Sequence, residues 1–252
     1  MDTRIDEIAP DLYRFSTFVP EIAPPAGFTF NQFLLLAEEP LLFHCGQRQL
    51  FPTVSAAVAR VLPLERLRWL SFGHVEADEC GAMNLWLAAA PRAQVAHGQL
   101  ACMVSLNDLA DRPPRALADG EVLRTGQHAF KWLDAPHVPH GWECGFMMEL
   151  QTRTLLCGDL FTQGGAGAVA LTEGDILGPS EAFRLQMDYY AHTPRTAATL
   201  ERIAREQPEV LACMHGSAWR GDGAALLRAL ARSLARPAGA NVVVPDDEAA
   251  VV

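Results

Sequence analysis

The sequence predicts an α/β fold in which two β-sheets pack face to face with helices on their outer sides. Three observations carry that expectation. Half of the 252 residues are apolar, enough to fill a sizeable core. The first half of the chain runs from strand-rich to helical spacing, and the second half repeats that order. At four places a residue suited to metal ligation follows directly on an apolar strand pattern.

The elements follow in order. DLYRFSTF (11–18), TFNQFLLLA (29–37) and LLFHCG (41–46) read as strands, the last two joined by the turn EEP. FPTVSAAVARVL (51–62) has helical spacing, with Pro52 near its start where proline is tolerated. LRWLSFG (67–73) is a short buried strand, and CGAMNLWLAAA (80–90) a helix stopped by Pro91. AQVAHG (93–98) reads as a strand and CMVSLNDLA (102–110) as a short helix. Four strands follow: EVLRTG (121–126), AFKWLDA (129–135), GFMMEL (145–150) and TLLCGDLF (154–161), with QTRT turning the last pair into a hairpin. A Gly-rich loop (163–167) precedes two helical patterns around 180–206, then the strand EVLACM (209–214) and the helix GAALLRALARSLA (223–235). Residues 1–236 are expected to form one domain. The remainder, 237–252, carries Pro, Gly and acids without periodicity and is expected to be a flexible tail.

Composition narrows the function. A net charge of −10 and scattered arginines argue against a nucleic-acid partner, which needs clustered Lys and Arg. No apolar run reaches the ~20 residues of a membrane span. The N-terminus lacks the basic-then-apolar layout of a signal peptide, so a cytoplasmic setting is expected. The six cysteines stand singly without a CxxC pair and read as small core residues in a reducing compartment.

The densest chemistry lies in HVEADE, where His74, Glu76, Asp78 and Glu79 crowd into six positions before an apolar helix. On an extended segment His74, Glu76 and Asp78 would face one side. Asp78 and Glu79 have a second reading as ordinary acids of a first helical turn, where they favour the helix dipole. That reading leaves His74 and Glu76 unexplained. His137 and His140 follow the FKWL strand, Asp159 follows LLCG, and His215 follows LACM. Each alone is compatible with a satisfied core or turn residue. Together, at strand ends that converge on one rim, they point to a shared site.

HVEADE followed by CGAMNLWL, PHVPH, CGDLF and MHGSAW, in that order, resembles the metallo-β-lactamase fold, a four-layer αββα sandwich. The likeness runs from about Asp11 to Trp219 and is strongest to the diiron branch, the flavodiiron proteins and single-domain oxygen-binding relatives, whose signature is HxExDx. Carried over by position, it implies that His74, Glu76 and His140 bind one metal. Asp78, the residue at position 79 and His215 would bind a second, with Asp159 bridging. Two departures stand out. Glu79 replaces a histidine of the diiron signature, and His44–Gly46 replaces an Asp-Thr-Gly. The second removes a carboxylate from behind the ligands, so another group must orient the histidines.

Three neutral histidines and the four acids Glu76, Asp78, Glu79 and Asp159 would balance two divalent ions. Hard carboxylate oxygens suit iron or manganese, whereas zinc leans on nitrogen and sulfur. Iron is therefore expected, with zinc or manganese as alternatives. A metal pair serves two reaction classes: binding or reducing O2 or a similar small molecule, or hydrolysis by a metal-bound hydroxide. Too few residues follow His215 for a flavin domain, and GGAG (164–167) is a weak phosphate-loop signal, so reductase turnover would need a separate electron donor. Relatives of this fold commonly pair, so the resemblance leaves a homodimer open. Trp86, Trp142 and Trp219 read as core and pocket wall. Tyr189, Tyr190 and His192 read as helix packing, with pocket lining as the alternative.

Overall fold

The computed structural model describes residues 2–235, so the stretch expected to be a flexible tail lies outside the described residues. Two seven-stranded sheets form the centre. The first takes strands in sequence order: β1 (Thr3–Ala9), β2 (Leu12–Val19), β3 (Phe28–Leu35), β4 (Leu41–Phe43), β5 (Trp69–Ser71), β6 (Gln94–Gly98) and β7 (Arg115–Leu117). β1 to β4 pair antiparallel, whereas β4 to β7 are parallel. The parallel crossovers carry α1 (Phe51–Val58), then α2 (Ala77–Cys80) and α3 (Met83–Ala89). The last crossover runs through α4 (Gln99–Ala101), a π-helical turn (Cys102–Leu106) and α5 (Asn107–Leu109).

The second sheet is built from β8 (Val122–Arg124), β9 (Ala129–Asp134), β10 (Gly145–Glu149), β11 (Thr154–Leu156), β12 (Leu171–Thr172), β13 (Val210–Ala212) and β14 (Ala218–Arg220). Its spatial order is β12-β14-β13-β11-β10-β9-β8, and β11 pairs parallel with β13 across the helices α6 (Leu177–Met187) and α7 (Thr196–Ala204). Helix α8 (Gly223–Leu234) follows, its first turn capped by the Asp222 carboxylate accepting from Ala225 N–H.

Strand alternation divides the core into three layers. Phe33, Phe43 and Trp69 of one sheet meet Phe130, Trp132 and Met147 of the other between the sheets. The opposite faces of the strands bury Phe30, Leu34 and Leu70 against α1 and α3, and Phe146, Leu155 and Leu211 against α7 and α8. Each such side chain contributes about 1.5–3 kcal/mol by leaving water. The result is the four-layer αββα sandwich of the metallo-β-lactamase fold. Among the described residues no helix is long and apolar enough to cross a membrane.

Two local departures from the sequence expectation matter for the site. The strand LLFHCG ends at Phe43, because His44 enters the left-handed region (φ 67°). The helix expected over 80–90 starts only at Met83. Cys80 instead ends the separate turn α2, and the junction is held from outside: Cys45 N–H donates to Glu79 O at 2.7 Å, and Ala82 N–H to Gly46 O at 2.8 Å. β1, β7, β12 and β14 were not expected as strands.

Candidate metal centre

The predicted residues come from both sheets and meet at one rim. His74 and Glu76 follow β5, and Asp78 sits in α2. His140 lies between β9 and β10, Asp159 follows β11, and His215 follows β13. His74, Glu76, His140 and Asp159 each place one ligand atom within 4.8 Å of all the others. His74 Nε2 stands 2.7 Å from Glu76 Oε2 and 2.9 Å from His140 Nε2, which is itself 3.1 Å from Glu76 Oε2. Asp159 joins two groups of residues. Its Oδ2 is 3.7 Å from His74 Nε2 and 3.5 Å from His140 Nε2, while its Oδ1 is 3.2 Å from His215 Nε2. Asp78 Oδ2 is 3.5 Å from the same nitrogen of His215.

Glu79 is placed differently from the other six. Its carboxylate is fully buried behind His74, with Oε1 3.5 Å from His74 Nδ1 and Oε2 accepting from Gly73 N–H at 2.6 Å. Consecutive helical residues point about 100° apart, so Asp78 and Glu79 cannot both face His215. Of the two histidines in the β9–β10 loop, His140 reaches the cluster, whereas His137 is exposed at φ 63°.

Burial and charge set opposing forces. Burial alone would lower His74, but Cys144 beside it, the hydrogen bond to Glu76 and the charges of Glu79 and Asp159 hold it above its ordinary value. Burial would likewise lower His215, and the Asp159 carboxylate beside it raises it instead. Burial would raise Asp159, yet His215 and the two other histidines keep it well below the usual carboxylate range. Hydrogen bonds from His140 and His74 bring Glu76 down to about 2. Burial pushes Asp78 up, and pushes Glu79 up to about 8.

Several supporting residues were not read from the sequence. His215 Nδ1 lies 2.7 Å from Thr29 O, and Gly216 N–H donates to Thr29 Oγ1 at 2.7 Å. Asn31 Nδ2 donates to Cys213 O and Gly216 O at 2.9 Å, and the buried Arg14 guanidinium donates to Gly216 O at 2.8 Å. These bonds fix the backbone around His215 and turn its Nε2 toward Asp78 and Asp159. Phe28 stacks on the other face of the His215 ring at 4.1 Å. Only Asn31, a polar residue inside the apolar strand TFNQFLLL, left a signal, since burying an amide without partners is costly.

The aromatic candidates separate. Tyr189 reaches the site, its hydroxyl donating to Asp159 O at 3.2 Å and its ring 6.1 Å from that of His140. Tyr190 is buried in the second-sheet core, and His192 is exposed beside Asp188. Trp86 is core, with Nε1 donating to Cys45 O, while Trp142 is exposed and Trp219 donates to Gly174 O at the periphery. The six cysteines are free.

The donor set fits a cation. Two imidazole nitrogens at 2.9 Å share one carboxylate oxygen, and Asp159 Oδ1 is buried without a hydrogen bond. The same nitrogens and oxygens offer a divalent ion its preferred hard and borderline donors.

Known proteins show the same architecture. The metal-soaked flavodiiron core from Synechocystis is 20% identical and covers 92% of this chain and 61% of its own, with a TM-score of 0.79. The 1–254 fragment of a Nostoc flavoprotein is 17% identical and covers 92% of this chain and 95% of that fragment, at 0.77. Likenesses at these identities establish the fold. A curated relative, the rubredoxin-oxygen oxidoreductase of Megalodesulfovibrio gigas, is 24% identical over 208 residues, 78% of this chain. The chain spans about half the length of that relative, 50%. A family model described as the ODP family beta lactamase matches residues 28–216, most of the chain and every residue of the cluster, and the chain belongs to that family.

Proposed function

We propose that this protein holds a dinuclear non-heme iron centre that binds or reduces O2 or a similar small molecule, with electrons supplied by a separate donor. The observation that carries the reading is the convergence of His74, His140 and Glu76 on the Oδ2 side of Asp159, while His215 and Asp78 converge on its Oδ1 side. One carboxylate facing two groups of donors is the arrangement a bridged metal pair requires. His74, Glu76 and His140 would hold one ion, and Asp78 and His215 the other. The carboxylate-rich donor set favours iron over zinc.

When bound, such a pair supplies redox chemistry toward a small diatomic molecule. The chain's own residues supply the setting. Thr29 and Asn31 fix His215, and Tyr189 fixes the backbone at Asp159. Phe28 and Phe183 stack at 5.3 Å and, with Tyr189, cover the His215 side with aromatic surface. A protein donor is supported by the curated relative, whose name couples rubredoxin to oxygen. The reading places the chain in the cytoplasm, where free thiols stay reduced.

The test is metal analysis of protein made in iron-replete medium and purified without nickel, followed by chemical reduction and readmission of O2. About two irons per chain, and O2 uptake by the reduced protein, are expected. Stoichiometric zinc, no iron and no O2 uptake would overturn the iron reading and favour the metallo-hydrolase alternative.

A further inference from the structure

We propose that Glu79 and His44 form a positioning pair for His74, and that Glu79 is not a ligand of the second metal. The inference rests on the proposed metal centre and goes beyond it by assigning Glu79, which stands where the diiron signature has a histidine, and His44, which begins the segment that replaces Asp-Thr-Gly. In the structure these two residues face each other: His44 Nε2 lies 3.5 Å from Glu79 Oε2, and both side chains are fully buried. Glu79 Oε1 lies 3.5 Å from His74 Nδ1, on the side of the ring away from Glu76 and His140.

Three polar atoms, His44 Nε2, Glu79 Oε1 and His74 Nδ1, are buried there without another hydrogen-bond partner. His74 Nδ1 faces Oε1 and His44 Nε2 faces Oε2, so the Glu79 side chain stands between the two histidines. The carboxylate is located independently of either histidine. Gly73 N–H donates to Oε2 at 2.6 Å, and a Cβ at Gly73 or at Gly158 would come within 3.2 or 3.3 Å of Oε1. Those two glycines leave a slot that the carboxylate fills. His44 is fixed from its far side, with Nδ1 3.0 Å from Asn31 O and the Phe43 ring 4.5 Å away. His44 also holds a left-handed backbone (φ 67°), which strains a non-glycine residue. That strain persists only where packing and polar contacts over-determine the conformation.

With Nδ1 directed at Glu79, His74 presents Nε2 to Glu76, His140 and Asp159. A histidine ligand is commonly oriented in this way by a carboxylate on its other nitrogen, and losing that carboxylate typically weakens metal binding 10–100-fold. A consequence follows for the second metal. Among the described residues, Asp78, Asp159 and His215 would then be left to hold it.

The test uses cobalt(II) as the probe ion in the full chain, comparing wild type, Glu79→Gln, Glu79→Ala and His44→Ala. Two readouts are taken: cobalt bound per chain with its Kd, and the solvent-exchange rate of the hyperfine-shifted imidazole N–H protons. The wild type should show a slowly exchanging N–H from His74 Nδ1. Glu79→Gln keeps an acceptor oxygen for His74 and should retain both cobalt ions and slow exchange. Glu79→Ala should speed that exchange at least tenfold and weaken one cobalt about 10–100-fold; His44→Ala should do so less. A Glu79→Gln protein that loses one cobalt while the His74 N–H stays slow would make Glu79 a ligand and overturn the proposal. Unchanged exchange in Glu79→Ala with full cobalt would overturn it too. Failure of the wild type to bind cobalt with any hyperfine-shifted N–H would overturn the metal centre itself, and is distinguishable from both.

Discussion

Replacing Asp159 by Asn tests the centre at its pivot, because this is the one side chain that faces both groups of donors. Its oxygens stand 3.2 Å from His215, 3.5 Å from His140 and 3.7 Å from His74. At such separations a pair of unit charges interacts by ~4–5 kcal/mol when the effective dielectric is near 20. That is about three decades in an equilibrium constant, and a divalent ion gains more. Asp159→Asn preserves shape and one acceptor oxygen, so the fold should survive while the charge is lost. The expected result is loss of both metals on purification, or at least ~1,000-fold weaker binding in a competition titration against a chromophoric chelator. The metal-free protein offers a second arm. His215 is raised in the folded state, so its contribution to stability is present below its unfolded pKa of about 6.5 and is lost as pH rises through the folded value. In the variant only Asp78 and the Thr29 carbonyl still oppose burial, so the folded pKa falls and less of that low-pH stability remains. Urea midpoints of the two metal-free proteins should therefore diverge more near pH ~5.5 than at pH ~8. Wild-type metal content and affinity in Asp159→Asn would refute the bridging assignment.

Two further outcomes are expected. His140→Ala should lose metal while His137→Ala keeps it, since only His140 Nε2 lies among the donors; elemental analysis of the purified variants decides it, and the opposite result would show that the β9–β10 loop is set differently. Away from the centre, Glu149 is buried, and although burial opposes it, hydrogen bonds from Thr152 and His128 lower its pKa. A lowered carboxylate contributes stability above its unfolded pKa of about 4.3 and loses it as pH falls through the folded value. Glu149→Gln should thus cost about 2 kcal/mol at neutral pH and progressively less below pH ~4, read from urea midpoints across that range; a constant difference at all pH values would remove the charge from the explanation.

How far the sequence reaches is visible residue by residue. Strands with long apolar runs, such as TFNQFLLLA and GFMMEL, were legible because burial on both faces leaves little room for polar residues. β1 was not, since TRIDEIA is an edge strand whose middle residues are exposed or half-buried, and its strand character comes from pairing with β2. β7, β12 and β14 span three residues or fewer and have no periodicity to read. The cluster was legible for a different reason: a carboxylate or imidazole directly after an apolar strand marks a strand end, and strand ends of both sheets share a rim. What spacing does not encode is the direction of a side chain within one helical turn. Asp78 and Glu79 are neighbours with the same chemistry, yet a rotation of about 100° sends one toward His215 and the other behind His74. The turn itself is set by backbone bonds from Cys45 and Gly46, over thirty residues earlier, and by the left-handed His44 that ends β4. The Arg14 and Asn31 bonds to Gly216 span more than 180 residues in the same way. Metal-type residues are therefore readable locally, but whether an acid binds an ion or holds the residue that does is decided by distant contacts. Glu79 and His44 change meaning together for that reason, because only the folded chain brings them face to face.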